Sequence, residues 1–225
     1  MSAAYPREIR SYARRERPLG DAARAARERL WGRFAIADHE WPRIGEGCRD
    51  IVLDVGFGDG ESLLTLAAAD TVRDYVGVEV YRAGLVKALR AIEQAGLTNV
   101  RVIEADVHDV FRLIPDQRIA VIQVFFPDPW PKTRHHKRRL VQGPFLREAA
   151  RILRPGGVLH MATDWAPYAD AMLEAASSVP ALVLSGCGRE ERPWTRFERR
   201  GLRLGQMARD LRFHRASDTP VSDGP

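Results

Sequence analysis

From residue 50 onward, short apolar runs rich in Val and Ile alternate with stretches of helical periodicity, and this alternation constrains the fold more than any other feature. Strands that alternate with helices of about 10–15 residues predict a doubly wound α/β sheet with mostly parallel strands. Two later apolar runs predict further strands near the edge, one of them antiparallel. The predicted strands cover 50–56, 74–80, 99–106, 119–127, 157–164, 181–186 and 203–215, and the predicted helices cover 59–69, 82–96, 139–157 and 168–178.

A chain of 225 residues is long enough for one full domain with an extension. Residues 1–45 are polar and Arg-rich, and they predict a basic arm followed by one helix over 21–34, with Asp21 as its cap. Residues 46–214 form the predicted α/β domain. The polar segment 215–225 has the composition of a disordered tail.

Composition excludes several classes of protein. No apolar run approaches the roughly 20 residues that span a bilayer, and the N-terminus lacks the apolar segment of a secretory signal. Two cysteines, Cys48 and Cys187, form neither a disulfide framework nor a metal-ligand set, which favours a reducing compartment, the cytoplasm. The net charge of +5 favours an anionic partner. We therefore expect no metal and no membrane association.

The first loop of the predicted sheet is rich in glycine. The segment DVGFGDGES places Asp54 at the end of a strand, followed by Gly56, Gly58 and Gly60. Glycines permit a tight turn and a close approach of a ligand to the backbone. Ligands of such sheets bind beyond the carboxyl ends of the strands, so this loop is the predicted cofactor site.

Acidic residues surround this loop. Glu79 ends the second strand 19 residues after Gly60, the spacing at which a carboxylate accepts the two ribose hydroxyls of an adenosine. Asp106 follows the third strand and can reach an adenine amino group. Together with Asp54 and Asp59, these carboxylates favour a cofactor without phosphate. S-adenosyl-L-methionine, with its sulfonium and ammonium groups, fits better than a dinucleotide.

The fourth strand runs into the segment VFFPDPWPKTRHHKRR. Pro127 and Pro129 fix the backbone on both sides of Asp128, which places a rigid carboxylate at the carboxyl end of the strand. Trp130 offers a stacking face for a nucleobase. The basic run that follows predicts contacts to RNA phosphates. It comprises Lys132, Arg134, His135, His136, Lys137, Arg138 and Arg139, and its histidines lack the Cys or carboxylate that a metal site needs.

Two further acids are predicted to hold the target base. Asp164 ends the fifth strand, and Glu198 lies in the Arg-rich segment ERPWTRFERRGLRLG, which predicts an irregular structure outside the core. Guanine presents two adjacent donors, N1–H and the N2 amino group, and carboxylates accept both. These two residues are therefore the predicted acceptors.

Taken together, the motifs resemble the bacterial tRNA (guanine-N7-)-methyltransferase family. The resemblance is carried by LDVGFGDGESL, VGVEVYRAGL, VFFPDPWPKTRHHKRRLVQ, ATDWAPYADAML and RPWTRFERRGLRLG, and it extends from about residue 8 to about residue 214. It implies a Rossmann-like fold and methyl transfer from S-adenosyl-L-methionine to the guanine at position 46 in the tRNA variable loop.

The resemblance also implies roles for individual residues. Asp54, Glu79, Asp106 and Asp128 would contact the cofactor, with Asp128 at the catalytic centre. Lys132, Asp164 and the segment Thr195, Arg196, Phe197 and Glu198 would contact tRNA or the target base, and residues 134–139 would face the RNA. Arg196 stands where the family commonly has Lys, which keeps the charge but changes the geometry.

Three alternatives remain open from the sequence. An exocyclic-amine methyltransferase acting on RNA or DNA uses a similar Asp-Pro-aromatic turn at the same strand end. A non-catalytic RNA-binding protein would keep the fold without the chemistry. A nicotinamide-dependent oxidoreductase is disfavoured, because Glu61 stands where that fingerprint needs its third glycine. The sequence leaves open whether the protein is a monomer or a homodimer.

Overall fold

The computed structural model describes residues 18–47, 49–189 and 192–217. A seven-stranded sheet has the strand order β3-β2-β1-β4-β5-β7-β6. Strands β1 to β5 are parallel, and β7 runs antiparallel to both β5 and the edge strand β6. The strands are β1 Ile51–Val55, β2 Asp74–Glu79, β3 Val100–Glu104, β4 Ile119–Phe125, β5 Leu153–Thr163, β6 Leu182–Gly186 and β7 Arg209–Arg215.

Helices cover both faces of the sheet, which confirms the predicted doubly wound class. Helices α1, α2 and α3 pack on one face around residues such as Leu30, Leu63 and Leu89. Helices α4, α5 and α6 pack on the other face in the larger core. The helices are α1 Asp21–Phe34, α2 Glu61–Ala69, α3 Arg82–Gln94, α4 Val107–Leu113, α5 Gly143–Ile152, α6 Ala166–Ser177 and α7 Arg196–Arg203, with 3-10 helices at Asp38–Arg43 and Thr133–Arg138.

The N-terminal helix α1 has the predicted bounds, but its predicted cap is wrong. Gly20 occupies the cap position, and Asp21 pairs instead with Arg24 one turn later. Leu30 and Phe34 of α1 are buried against the sheet. The helix therefore belongs to the same core as the strands. The predicted arm over residues 1–17 and most of the predicted tail lie outside the described residues.

The segment between β4 and β5 differs most from the prediction. The helix predicted over 139–157 is shorter, because Pro144 fits only in a first helical turn and α5 begins at Gly143. It ends at Ile152, and Leu153 already pairs with Ile119 of β4. The prediction also missed α4, which begins directly after Asp106.

The sheet order reverses between β1 and β4, where β2 and β3 lie to one side and β5, β7 and β6 to the other. Asp54 of β1 and Gln123 of β4 are register partners at this switch point. In open α/β sheets the ligand crevice lies beyond the carboxyl ends of the strands at such a reversal. The loops that follow β1, β2, β4 and β5 therefore converge on one edge.

Within the described residues, no helix combines the length and the apolar character needed to cross a membrane. Cys187 is an exposed free thiol, whereas Cys48 lies outside the described part of the chain.

Candidate active site at the carboxyl edge of the sheet

The glycine loop after β1 requires its glycines. Gly56, Gly58 and Gly60 all have a positive φ, between 63° and 86°, which L side chains rarely adopt. The loop also packs against two glycines that the sequence analysis did not single out. A Cβ on Gly77 would lie 2.5 Å from the Phe57 ring, and one on Gly84 would lie 2.3 Å from the Gly58 carbonyl oxygen.

Glu79 fixes the conformation of this loop. One carboxylate oxygen accepts the Gly58 N–H at 2.7 Å, and the other accepts the N–H groups of Val80 and Tyr81 at 2.7 and 2.9 Å. Its side chain thus connects the loop after β1 to the loop after β2. These three bonds hold the Glu79 carboxylate at the carboxyl end of β2, beside the glycine loop, and its contact with ribose hydroxyls stays a prediction.

Asp54 lies buried at the base of the loop. It is 2% exposed, and its Oδ2 atom has no hydrogen-bond partner among the described residues. Burial, and then the negative charge of Glu79, raise the pKa of Asp54 to about 7. A buried acceptor next to a second carboxylate favours a cationic ligand, which would supply both the missing donor and the missing positive charge.

Asp106 lies at the carboxyl end of β3, where it is the N-cap of α4. Its carboxylate accepts the His108 N–H at 2.9 Å, which satisfies one of the free donors at the start of that helix. The position agrees with the predicted one, at the same sheet edge as Asp54 and Glu79. The cap holds the carboxylate in a defined orientation.

The turn after β4 holds Asp128 in an exposed position at the same edge. Phe126 and Trp130, which flank the Pro127–Pro129 segment, have positive φ values of 54° and 43°. Such a conformation costs of order 1–3 kcal/mol for each non-glycine residue, and it is most common at functional sites. The Phe126 N–H still donates to the Ala162 carbonyl at 2.7 Å, so the strain begins where the β ladder ends.

The basic run divides into an exposed part and a buried part. Arg138 lies 5.0 Å from the centroid of the Trp130 ring, and the His135 ring meets Trp130 edge-on at 5.7 Å. Partial desolvation and the neighbouring cations, Arg138 first among them, lower the pKa of His135. Lys132, Arg134 and Lys137 are exposed, and His136 is half-buried.

Arg139 departs from the prediction that it faces RNA. It is 6% exposed, its Nε donates to the Pro129 carbonyl at 2.9 Å, and its guanidinium stacks on Tyr168 at 4.7 Å. Burial lowers its pKa. The residue therefore supports the turn that carries Asp128 from below, while the exposed residues of the run remain accessible to a ligand.

The C-terminal part of the site is helical, which corrects the predicted irregular structure. Thr195 caps α7 by accepting the Glu198 N–H at 3.2 Å, and both residues are buried. The backbone of Phe197 lies in α7, while its side chain is outside the described part of the structure. A Cβ on Gly201 of this helix would lie 2.9 Å from Oδ2 of Asp164, so α7 packs directly on that carboxylate.

Helix α7 also contacts the glycine loop. The Arg196 N–H donates to Glu61 at 2.8 Å, its guanidinium pairs with Asp59 at 3.3 Å, and Arg199 pairs with Glu61. These pairs bring the predicted base-binding segment to the first turn of α2. The predicted base-binding segment therefore lies next to the glycine loop, the predicted cofactor site.

A buried ion network supports α7, and the sequence analysis missed it. Arg192 lies between the carboxylates of Glu198 and Asp210, and His160 Nε2 lies 2.8 Å from Oδ1 of Asp210. Burial alone would raise the pKa of Asp210, but the hydrogen bonds from Arg192 and His160 lower it to about 2. No local sequence pattern indicates this network, because its members are up to 50 residues apart.

Among residues 18–47, 49–189 and 192–217, no group of three or more His, Cys, Asp or Glu side chains is arranged to hold a metal ion. The acids of the crevice are instead separated along the edge of the sheet.

Comparison with known proteins relates the chain to methyltransferases. Residues 48–211 match the family described as "Putative methyltransferase". The chain is 44% identical to a tRNA (guanine-N(7)-)-methyltransferase of Halorhodospira halophila, over 95% of this chain and 98% of the relative. It is 46% identical to the protein of the same name from Alkalilimnicola ehrlichii, over 95% of both.

Solved structures share the fold. The 16S rRNA methyltransferase KamB superposes with a TM-score of 0.58 at 21% identity, covering 81% of this chain and 95% of KamB. A 16S rRNA (adenine(1408)-N(1))-methyltransferase from Catenulisporales acidiphilia, solved with its cosubstrate SAM, gives a TM-score of 0.58 at 18% identity, covering 83% and 95%. These similarities support the Rossmann-like architecture.

Proposed function

We propose, because this chain belongs to the tRNA (guanine-N7-)-methyltransferase family, that it transfers a methyl group from S-adenosyl-L-methionine to N7 of a guanine in tRNA. The target is the guanine at position 46 of the variable loop, and the product is 7-methylguanosine. The observation that carries the proposal is the convergence of the acid-lined glycine loop, the Asp128 turn and α7 on one edge of the sheet. We also propose that the protein acts in the cytoplasm, as a monomer or homodimer.

The glycine loop and its acids fit the cofactor. Asp54 offers a buried carboxylate oxygen that has no donor among the described residues, which suits an ammonium or sulfonium cation. Glu79 lies at the carboxyl end of β2, where it suits the ribose hydroxyls, and Asp106 suits the adenine amino group. When bound, S-adenosyl-L-methionine supplies the methyl group as an electrophile. The absence of lysine and arginine side chains from DVGFGDGES also favours a cofactor without phosphates.

The exposed basic run and α7 fit the RNA. Lys132, Arg134 and Lys137 present positive charge on the surface next to Trp130, whose ring can stack on a nucleobase. Asp164 lies at the end of β5, and Glu198 lies in the first turn of α7, the helix that packs on the Asp164 carboxylate. They supply the acceptors that the N1–H and N2 amino donors of guanine need. His135, His136 and Arg138 lie in the same basic run, beside the exposed cations that the proposal assigns to the RNA phosphates.

Methyl transfer to guanine N7 depends on the alignment of the two reacting groups rather than on proton transfer. Guanine N7 has an in-plane lone pair and carries no proton, so no general base is needed to make it a nucleophile. The chain must hold N7 in line with the methyl group and exclude water, and this alignment accounts for most of the rate. The guanine ring becomes positive as the bond forms. The carboxylate of Asp128, held by its two prolines, stabilises that developing charge.

The deciding experiment is methyl transfer from labelled S-adenosyl-L-methionine to unmodified tRNA transcripts, with the product nucleoside identified. We expect 7-methylguanosine, lost when the variable-loop guanine is replaced by adenine. A methylated exocyclic amine would instead identify an amino methyltransferase. Binding of tRNA without any transfer would identify a non-catalytic RNA-binding protein.

A further inference from the structure

Arg192 makes two bidentate ion pairs within the core. Its side chain is fully buried, with 0% exposed. Nη1 and Nη2 donate to the two oxygens of Glu198 at 2.8 and 3.0 Å, and Nε and Nη2 donate to the two oxygens of Asp210 at 2.7 and 2.9 Å. A planar guanidinium can bridge two carboxylates in this way, whereas the compact ammonium of lysine cannot.

The two carboxylates belong to different parts of the fold. Asp210 lies in β7, next to β5, and His160 of β5 holds it from the other side. Glu198 lies in the first turn of α7, among the residues predicted to bind the target base. Residues 192–195, directly before α7, have no regular secondary structure, and Arg192 therefore anchors the start of α7 to the sheet.

The same guanidinium contacts the turn after β4. Its Cζ lies 5.5 Å from the centroid of the Phe125 ring and 5.1 Å from that of Phe126. Phe126 has the positive φ that starts the turn, and Asp128 follows two residues later. One buried cation thus contacts both the base-binding helix and the turn that carries the catalytic carboxylate.

The remaining contacts of Glu198 define what it can still bind. Oε1 accepts from Arg192 and also from Arg189 at 2.7 Å, whereas Oε2 accepts only from Arg192 among the described residues. A carboxylate oxygen can accept about two hydrogen bonds. The Glu198 side chain is only 5% exposed, and its Oε2 retains the capacity to accept one further donor, in a direction that the ion pair with Arg192 determines.

We propose that Arg192 is a positioning residue that presents Glu198 to the donor edge of the target guanine and sets that edge relative to Asp128. This inference rests on the proposed function. Charge balance within the cluster agrees with it, since Arg189 and Arg192 offset Glu198 and Asp210. The burial of Arg192 lowers its pKa, but the hydrogen bonds to Asp210 and Glu198 outweigh this effect and raise it, so the cation is permanent.

The test is a double-mutant cycle between Arg192→Lys and Glu198→Gln. Arg192→Lys keeps the charge but loses the two bidentate pairs, so we expect kcat to fall about 100-fold, the cost of a misplacement of about 1 Å. KM for tRNA should change less than about threefold, because phosphate contacts elsewhere set it. In the Glu198→Gln background, Arg192→Lys should lower kcat by less than about threefold, since Arg192 then has no carboxylate to position.

A second variant tests the same inference if the lysine variant folds poorly. Asp210→Asn keeps one acceptor oxygen but loses the charge and the bidentate pair that anchor Arg192 to the sheet, and it leaves Glu198 unchanged. It should also lower kcat with little change in KM. Arg189→Lys is the matched control, because Arg189 makes a single bond to Glu198 and is 26% exposed. Its effect on kcat should be much smaller than that of Arg192→Lys.

The outcomes separate this inference from the proposed function. Wild-type kcat in both Arg192→Lys and Asp210→Asn, or additive losses in the double mutant, would refute the positioning role while the wild-type enzyme still methylates tRNA. A parallel rise in KM for tRNA would also refute it. Absence of transfer by the wild-type protein would refute the proposed function and, with it, this inference.

Discussion

Replacement of Asp54 by asparagine should stabilise the cofactor-free protein above neutral pH and weaken cofactor binding. Asp54 is buried, its Oδ2 has no hydrogen-bond partner in the described part of the chain, and burial raises its pKa to about 7, compared with 3.8 for an ordinary aspartate. At 1.36 kcal/mol for each pH unit, that difference corresponds to about 4 kcal/mol. The asparagine side chain is close in shape to that of aspartate but never ionises, so the Asp54→Asn variant avoids this cost.

The sign follows from proton linkage. Because the folded-state pKa of Asp54 is raised, the folded protein holds a proton that the unfolded chain has released between pH 3.8 and about 7. The stability that this protonation provides is complete below pH 3.8 and is lost as the pH rises through 7. Between about pH 5 and pH 7 the wild-type protein should therefore lose about 2–3 kcal/mol relative to Asp54→Asn.

The assay is urea unfolding of both proteins at about pH 5, 6, 7 and 8, with and without saturating S-adenosyl-L-methionine. Subtracting the two pH curves cancels the other titrating groups. Saturating cofactor should stabilise the wild type by about 2.7 kcal/mol at 100 times its Kd, and should stabilise the variant much less. Parallel curves for the two cofactor-free proteins would show that Asp54 does not carry a raised pKa. Equal stabilisation of both by the cofactor would show that it does not face the cation.

Three further predictions concern the turn, the basic run and α7. Asp128→Asn should lower kcat by about 100-fold, measured by single-turnover transfer, while Kd for tRNA, measured by filter binding, changes less than about threefold. Equal losses in kcat and in tRNA affinity would contradict its catalytic role. Arg138→Ala should weaken tRNA binding and reduce the slope of log K against log salt concentration by about one. Arg139→Met should lower kcat and leave that slope unchanged. Equal slopes in the two variants would contradict their separate roles. Gly201→Ala should leave the Tm within a few degrees but reduce turnover, because the new Cβ displaces the flexible carboxylate of Asp164, 2.9 Å away; a large loss of Tm with normal turnover would contradict this.

The strands and the glycine loop could be predicted because their signals are local. Alternating apolar runs bounded by glycine located β1 to β5 to within a few residues, apart from the start of β5. That error has a local cause too, since Pro155 forces the preceding residue toward an extended conformation. The helix predicted over 139–157 extends the helical period of α5 into residues 153–157, which belong to β5. The seven-residue helix α4 was missed because it is too short to show a clear period.

The ion network around Arg192 could not be predicted, because no pattern in the chain connects its members. His160, Arg192 and Asp210 are brought together only by the pairing of β5 with β7. The same limit explains Arg139, which is adjacent in sequence to exposed cations but points beneath the turn. A run of basic residues indicates a surface, yet a 3-10 helix turns successive side chains in different directions, and the last residue of this run falls on the buried side.

Two charged parts of the site suit ligands of opposite sign. In the proposed function, the carboxylates at the ends of β1 and β2 bind the cationic cofactor, and the exposed cations after Trp130 bind the polyanionic tRNA. The turn that carries Asp128 lies between them, at the strand next to the reversal in sheet order. Its strained backbone, its two prolines and the hydrogen bond from Arg139 to Pro129 hold the turn rigid. The proposed function therefore places Asp128 where the methyl group passes from cofactor to base.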